Sequence, residues 1–162
     1  MFIYTVRATT VRFALVLVLT VSVFLLVLFF GGGESVYAMA DGEVIRYSGV
    51  RTAEERVDFL KQFGIEVKEG SEHSESFSVA QSLDRVLLSY NELQKKQGLD
   101  LSKYSKKKIT RYAYKVTNYD AKGDVYANLF IHRGKIIACD LSSVSPDGFV
   151  VPLTLVDKAK LK

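Results

Sequence analysis

One uncharged apolar run near the N-terminus constrains this chain more than any other feature. From Phe13 to Phe30 the sequence has no charged residue, and only Thr20 and Ser22 are polar. A helix rising about 1.5 Å per residue would extend about 27 Å over this run, close to the roughly 30 Å hydrocarbon core of a bilayer. The sequence therefore predicts a transmembrane helix through Phe13 to Phe30.

The charges that flank the run predict its orientation. Arg7 and Arg12 precede it, whereas the acidic residues Glu34, Asp41 and Glu43 follow it. Positive charge is retained on the cytoplasmic side of a membrane. We therefore expect a single-pass protein of the cell membrane, with its N-terminus inside and its C-terminal domain outside.

A cleaved signal peptide is the alternative interpretation of the same run. Ala38-Met39-Ala40 has the small-x-small form that signal peptidases accept, so cleavage following Ala40 would give a secreted protein. Against cleavage, the run exceeds the usual hydrophobic segment of about 7–15 residues, and the candidate cut lies well beyond its end. Retention as an anchor is favoured, and both interpretations place the domain on the same side.

The 162 residues leave room for one ordinary domain after this segment. We predict a cytoplasmic tail and transmembrane anchor over residues 1–33, a linker over 34–49, and one extracytoplasmic α+β domain over 50–162. Gly31-Gly32-Gly33 is a flexible joint, and one short strand is expected within the linker at Val44–Tyr47.

Two helices are predicted in the first half of the domain. Thr52 and Glu55 have the spacing of a capping box, which starts a helix near residues 53–63 that Gly64 ends. Ser82 is the predicted cap of a longer helix near residues 83–97, which ends before Gly98.

The last third of the chain changes to the period-two pattern of strands. Alternating apolar and polar residues predict strands near 110–118, 124–132 and 135–142, and Arg133-Gly134 is the turn between the last two. Short strands are also expected at residues 65–67 and 76–79. Together these patterns predict an α+β fold with two helices packed on one face of an antiparallel sheet and a C-terminal three-stranded meander.

Residues with reactive side chains are few and scattered. His73 and His132 are too far apart in the sequence to predict a metal site or a catalytic base. Asp140, Ser142 and Ser143 lack the motifs that activate a serine nucleophile, and Cys139 is alone. We therefore predict no catalytic residue, no metal and no cofactor.

A basic cluster is the one suggestive surface feature. It consists of Lys103, Lys106, Lys107, Lys108 and Arg111, with no acidic residue among them. Such a cluster is suited to anionic lipid headgroups or anionic wall polymers, and a solvated loop is the alternative. The net charge of +4 includes Arg7 and Arg12, so the remaining excess is too small to predict binding of nucleic acid.

The order of segments from about Val50 to Leu153 resembles the bacterial family known as domain of unknown function 4830. The residues that carry the resemblance include Phe63-Gly64-Ile65-Glu66-Val67, Tyr90-Asn91-Glu92-Leu93-Gln94, Gln97-Gly98-Leu99-Asp100-Leu101, Ala127-Asn128-Leu129 and Asp140-Leu141-Ser142-Ser143. The resemblance implies a membrane-attached or secreted domain of Gram-positive-type bacteria with no assigned reaction.

These observations lead to one functional hypothesis and one alternative. The hypothesis is a non-enzymatic binding or sensing module at the cell envelope, whose partner is an anionic lipid, a wall polymer or another envelope protein. The alternative is a secreted or anchored envelope hydrolase whose site is dispersed in sequence. A structure that brings Asp140, a serine and a histidine together in a cleft would favour the alternative.

Overall fold

A computed structural model describes residues 18–22, 37–40, 43–80 and 83–162. The chain separates into two compact units, Met1–Glu34 and Ser35–Lys162. In the first unit residues 18–22 are helical, and the rest of the predicted transmembrane segment lies outside the described residues. No helix within the described residues combines the length and apolar character needed to cross a membrane.

The described part of the second unit has an α+β fold with more strand than helix. Its two α-helices are α1 (Ala53–Lys61) and α2 (Arg85–Lys95). Its strands are β1 (Tyr37–Ala40), β2 (Glu43–Arg46), β3 (His73–Ser78), β4 (Lys108–Lys115), β5 (Val125–His132), β6 (Lys135–Ser143) and β7 (Val150–Pro152). Short 3₁₀ helices span Leu101–Tyr104, Leu153–Leu155 and Lys158–Lys160.

Strands β3 to β7 form one antiparallel sheet in sequence order, and β1 and β2 form a separate hairpin. The predicted meander is therefore confirmed as β4, β5 and β6. Arg133 and Gly134 join β5 to β6 with φ angles of 50° and 75°, the left-handed pair that suits a two-residue hairpin turn. The predicted strand at 65–67 is instead a single bridge from Val67 to Val116, and β7 was not predicted.

The helix ends follow local capping chemistry. Thr52 Oγ1 accepts a hydrogen bond from the Glu55 amide at 3.2 Å, and Glu55 Oε2 accepts from the Thr52 amide at 2.8 Å, so the capping box of α1 is confirmed. Helix α2 begins two residues later than predicted, because Asp84 caps it by accepting a hydrogen bond from the Leu87 amide at 2.7 Å. The predicted cap, Ser82, lies outside the described residues.

The prediction that both helices pack on one face of the sheet is wrong. Arg56 of α1 donates to the hydroxyl of Tyr114, which lies opposite Ala127 in the sheet. Tyr90 of α2 donates to Asp140, whose partner in β5 is Asn128, the next residue along. Because successive side chains of a strand point to opposite faces, the two helices cover opposite faces.

The burial of β6 gives the physical reason for this arrangement. Six consecutive residues of β6 are buried, including Ile137 and Ala138 on the side of α2 and Cys139 and Leu141 on the side of α1. A strand that is apolar on both faces needs a cover on each of them. One helix is therefore placed on either side of the central strands.

Part of the predicted linker belongs to the folded core. Ile45 is 4% exposed and Tyr47 is fully buried. The Tyr47 hydroxyl donates to the carbonyl of Gln97 at 3.1 Å, and its own carbonyl accepts from the Ile136 amide at 2.7 Å. The alternation of Ile45 and Tyr47 places two large side chains inside, which is the signature of a strand entering the core.

Candidate functional site

Four exposed lysines lie on the chain segment that runs from the first 3₁₀ helix to the first residue of β4. We call Lys103, Lys106, Lys107 and Lys108 the lysine turn. Each of them is exposed, and none forms an ion pair with a described residue. The sequence contains no acidic residue between Asp100 and Asp120, so the positive field of these lysines is not cancelled locally.

The backbone of the lysine turn is held in place by its buried neighbours. Leu101 and Ile109 are 3% and 1% exposed and fix the two ends of the segment in the core. The Lys106 amide donates to the Val79 carbonyl at 2.9 Å, and the Val79 amide donates to the Lys107 carbonyl at 3.1 Å. The lysines are therefore mounted on an ordered turn, which reduces the entropy lost when they bind a surface.

Arg111 lies apart from the four lysines. It belongs to β4, and its Nε and Nη2 atoms donate to Asn128 Oδ1 at 3.1 and 2.8 Å. The four lysines of the predicted basic cluster are thus exposed neighbours along the chain, whereas Arg111 belongs to a second, polar cluster.

This polar cluster is built around Asp140 on the face of the sheet that α2 covers. Asp140 Oδ2 accepts from the Tyr90 hydroxyl at 2.6 Å, and Oδ1 accepts from Asn128 Nδ2 at 2.8 Å. Asn128 Nδ2 also donates to Ser142 Oγ at 2.9 Å. Burial raises the pKa of Asp140, and the hydrogen bonds from Tyr90 and Asn128 offset only part of that rise.

The polar cluster does not have the arrangement of a serine hydrolase. Among the described contacts of Asp140 there is a serine neighbour, Ser142, but no histidine. His132 instead lies 2.7 Å from the Lys108 carbonyl and packs against the ring of Tyr104. The described contacts of Asp140 therefore connect α2 to the sheet.

A second buried charged cluster was missed by the sequence analysis. Arg56 is 5% exposed; its Nε donates to the Tyr114 hydroxyl at 2.7 Å, and its Nη2 lies 3.0 and 2.9 Å from the two carboxylate oxygens of Glu72. The Tyr114 hydroxyl also donates to Glu72. The available signal was the position of Arg56, which falls on the helical stripe of Phe59, Leu60 and Phe63 and is therefore directed into the core.

The ionisation of this cluster follows from its contacts. Partial burial opposes ionisation of Glu72, but the hydrogen bonds from Tyr114 and Arg56 prevail and lower its pKa below the ordinary 4.5. Burial, assisted by the Glu72 carboxylate, raises the pKa of Tyr114 to about 12. Arg56 and Glu72 are therefore a charged pair at neutral pH, linking α1 to the segment before β3.

The described residues offer no other reactive constellation. They contain no group of three or more histidine, cysteine, aspartate or glutamate side chains placed to hold a metal ion. Cys139 is completely buried, and burial raises the pKa of its thiol, so it behaves as a small apolar side chain. An open cleft of about 800 Å³ lies between α1 and residues 67–72, and its lining mixes acidic with basic side chains.

The comparison with protein families gives one match. The family model for a domain of unknown function, DUF4830, matches residues 59–141. The chain belongs to this family. The matched region contains the lysine turn, α2, β4, β5 and most of β6, and it begins within α1. The family description assigns no reaction, so it transfers no residue role to the chain.

Two further comparisons returned nothing. Neither the curated proteins nor the solved structures contain a significant match to this chain.

Proposed function

We propose that this chain is a membrane-anchored extracytoplasmic domain that binds an anionic surface at the cell envelope and does not catalyse a reaction. The observation that carries the proposal is the lysine turn, in which four exposed lysines on an ordered backbone have no described ion-pair partner. The apolar run from Phe13 to Phe30 and the flanking Arg7 and Arg12 support the anchor and its orientation.

The polar clusters support the non-enzymatic part of the proposal. Arg56 and Glu72 join α1 to the segment before β3, and Tyr90 and Asp140 join α2 to β6. Asp140 is buried, and each of its two oxygens accepts a hydrogen bond from a side chain of the fold. These charged side chains are used to assemble the fold.

Electrostatics set the size of the expected effect. A lysine close to an anionic surface contributes about 1 kcal/mol to binding, so three lysines contribute about 3 kcal/mol, or roughly a hundredfold in affinity. The effect should decline between about 0.1 M and 1 M salt, because the Debye length falls from about 10 Å to about 3 Å.

The test uses the full chain in immobilised nanodiscs of zwitterionic lipid. Isolated anionic wall polymer and phosphatidylglycerol vesicles are passed over the discs in separate experiments. We expect salt-sensitive binding of at least one probe, and we expect the variant K106S/K107S/K108S to lose most of it. Because these lysines are exposed, its free energy of unfolding should change by less than about 0.5 kcal/mol.

A charge-matched variant supplies the control. K61S/K95S/K162S removes the same formal charge from exposed lysines that are paired with Asp58, Glu92 and Asp120. This variant should bind the probes nearly as well as the parent. The proposal fails if neither probe binds at low salt, or if the two triple variants lose the same affinity.

A further inference from the structure

Exposed apolar side chains lie beside the polar face of the sheet that α2 covers. Val86 is 77% exposed and Phe77 is 37% exposed. The Phe77 ring lies 6.2 Å from the ring of Phe130, which lies 5.8 Å from the ring of Tyr90. Val86 precedes Tyr90 by one helical turn and therefore lies on the same side of α2. We call Phe77, Leu83, Val86, Tyr90 and Phe130 the apolar strip.

The apolar strip meets the lysine turn at one end of the sheet. Ser78 is paired with Lys108 in the antiparallel register of β3 and β4, so Lys108 lies at the end of the sheet that Phe77 approaches but on the opposite face. Val79, the next residue, exchanges backbone hydrogen bonds with Lys106 and Lys107. Leu83 packs on the small core cluster that contains Val79. The backbone of Lys106 and Lys107 therefore lies beside the apolar strip at this end of the sheet.

We propose that the lysine turn and the apolar strip form one surface that docks on an anionic lipid bilayer. The lysines would contact the headgroups, and Phe77 and Val86 would enter the interfacial layer. This inference rests on the proposed function and selects lipid over wall polymer as the anionic partner. Binding of a polar polymer requires only charge on the protein. Proteins that lie on a membrane surface instead combine an exposed apolar patch with flanking lysines.

The charge distribution agrees with a lipid partner. The segment between Asp100 and Asp120 has no acidic residue, and Glu75, which is exposed on the same face as Phe77, lies opposite Arg111 in the register of β3 and β4. The carboxylate of Asp84, which borders the apolar strip, caps α2 and lies at its N-terminus, where the helix dipole offsets part of its negative charge. Docking therefore brings together opposite charges at the lysine turn and removes apolar area from water at the strip.

The experiment compares lipid with polymer in the nanodisc format described above. The variant F77S/V86S should weaken binding to phosphatidylglycerol vesicles by about tenfold, because its lost apolar contacts are replaced by hydroxyls. Its binding to wall polymer should stay within about twofold of the parent, because its charges are unchanged. V86S alone should show the same selectivity if F77S disturbs the contact with Phe130.

The matched control is L88S/V144S. Leu88 and Val144 are 50% and 73% exposed, but Leu88 lies on the other side of α2 and Val144 follows β6 at the opposite end of the sheet. This control variant should bind vesicles like the parent. Equal losses in the two double variants, or vesicle binding that F77S/V86S and V86S leave intact, would overturn the inference.

A second measurement locates the strip directly. Because Cys139 is fully buried, a fluorophore attached to V86C or V144C should label one site only. In discs containing phosphatidylglycerol, the fluorescence emission of the V86C label should shift to the blue, and the emission of the V144C label should not. If the lysine variant loses polymer binding while neither label shifts, the proposed function stands and the lipid inference fails. If neither probe binds the parent, the proposed function itself fails.

Discussion

Replacing Arg56 by methionine should destabilise the domain more than any surface substitution. The guanidinium is 5% exposed and has four kinds of partner: the Tyr114 hydroxyl, the Glu72 carboxylate, the Arg51 carbonyl at 2.9 Å, and the Tyr112 ring, whose centroid lies 3.8 Å from Cζ. In R56M the methionine can fill part of the volume but supplies none of these polar contacts. The variant therefore leaves a half-buried carboxylate and a buried hydroxyl without their cation.

The magnitude follows from the exposure of the remaining partner. Removing one member of a fully buried ion pair costs about 3–5 kcal/mol. The Glu72 side chain is 31% exposed and can be partly rehydrated, which lowers the expected cost to about 3 kcal/mol. For a domain of this size that corresponds to a fall of about 10 °C in Tm.

The assay is thermal and urea unfolding of the full chain followed by near-UV circular dichroism. The chain has nine tyrosines and no tryptophan, and Tyr47 and Tyr114 are buried, so the signal reports packing of the core. The double variant R56M/E72Q should lose less stability than the sum of the losses in R56M and E72Q, because it no longer contains the Glu72 carboxylate that R56M leaves without a cation. Additive effects, or an R56M variant within about 0.5 kcal/mol of the parent, would refute this account of Arg56.

Two other predictions concern Asp140 and the position of the chain in the membrane. Burial raises the pKa of Asp140 above 3.8, so Asp140 binds its proton more tightly in the folded state than in the unfolded state. The protonated carboxyl therefore stabilises the fold at low pH. This stabilisation is lost as pH rises through the folded pKa. In D140N the urea midpoint should no longer fall as pH rises through that range. If the midpoint of D140N depends on pH in the same way as that of the parent, Asp140 is not the group responsible. A reporter fused after Lys162 should be active only outside the cell, and a reporter active in the cytoplasm would exclude the anchored topology. Intact-mass measurement of membrane fractions should show no chain that begins at Asp41. A mature N-terminus at Asp41 would mean that the anchor is cleaved.

The same linkage applies to Glu72 with the opposite sign. Its pKa is lowered on folding, so its stabilisation is present above 4.5 and is lost as pH falls through the folded pKa. Acid unfolding of the parent should therefore include a contribution that E72Q lacks. The two carboxylates act in opposite directions because Glu72 has a cation beside it, whereas Asp140 is surrounded mainly by neutral donors.

The meander and the capping box of α1 could be predicted because their causes are local. The alternation of apolar and polar residues along β4, β5 and β6 is visible in consecutive residues of the sequence, and the capping box depends only on Thr52 and Glu55. The distribution of the helices between the two faces could not be predicted in the same way. It depends on whether β6 is covered on one face or on both, and β6 is covered on both because it lies inside the sheet, between β5 and β7.

The candidate site was predicted in part for the same reason. The lysines lie close together in the sequence, so their cluster was visible there. Phe77 approaches the lysines only through the pairing of β3 with β4, and α2, which carries Val86, approaches Phe77 only through the contacts of Tyr90 and Phe77 with Phe130. Arg56, Glu72 and Tyr114 are distant in sequence, and only the position of Arg56 on an apolar helical stripe indicated a buried partner.

The glutamines at the end of α2 show how a polar side chain can replace a missing strand. Strand β7 ends at Pro152, opposite Asp140, so the next residue of β6, Cys139, has no partner strand on that side. Gln94 Oε1 accepts from the Cys139 amide at 2.9 Å, and Gln97 Nε2 donates to the Cys139 carbonyl at 2.7 Å. An unpaired buried peptide group would cost about 1–3 kcal/mol, so the two amides complete the edge of the sheet. Their role depends on where β7 ends, which no local pattern around α2 contains.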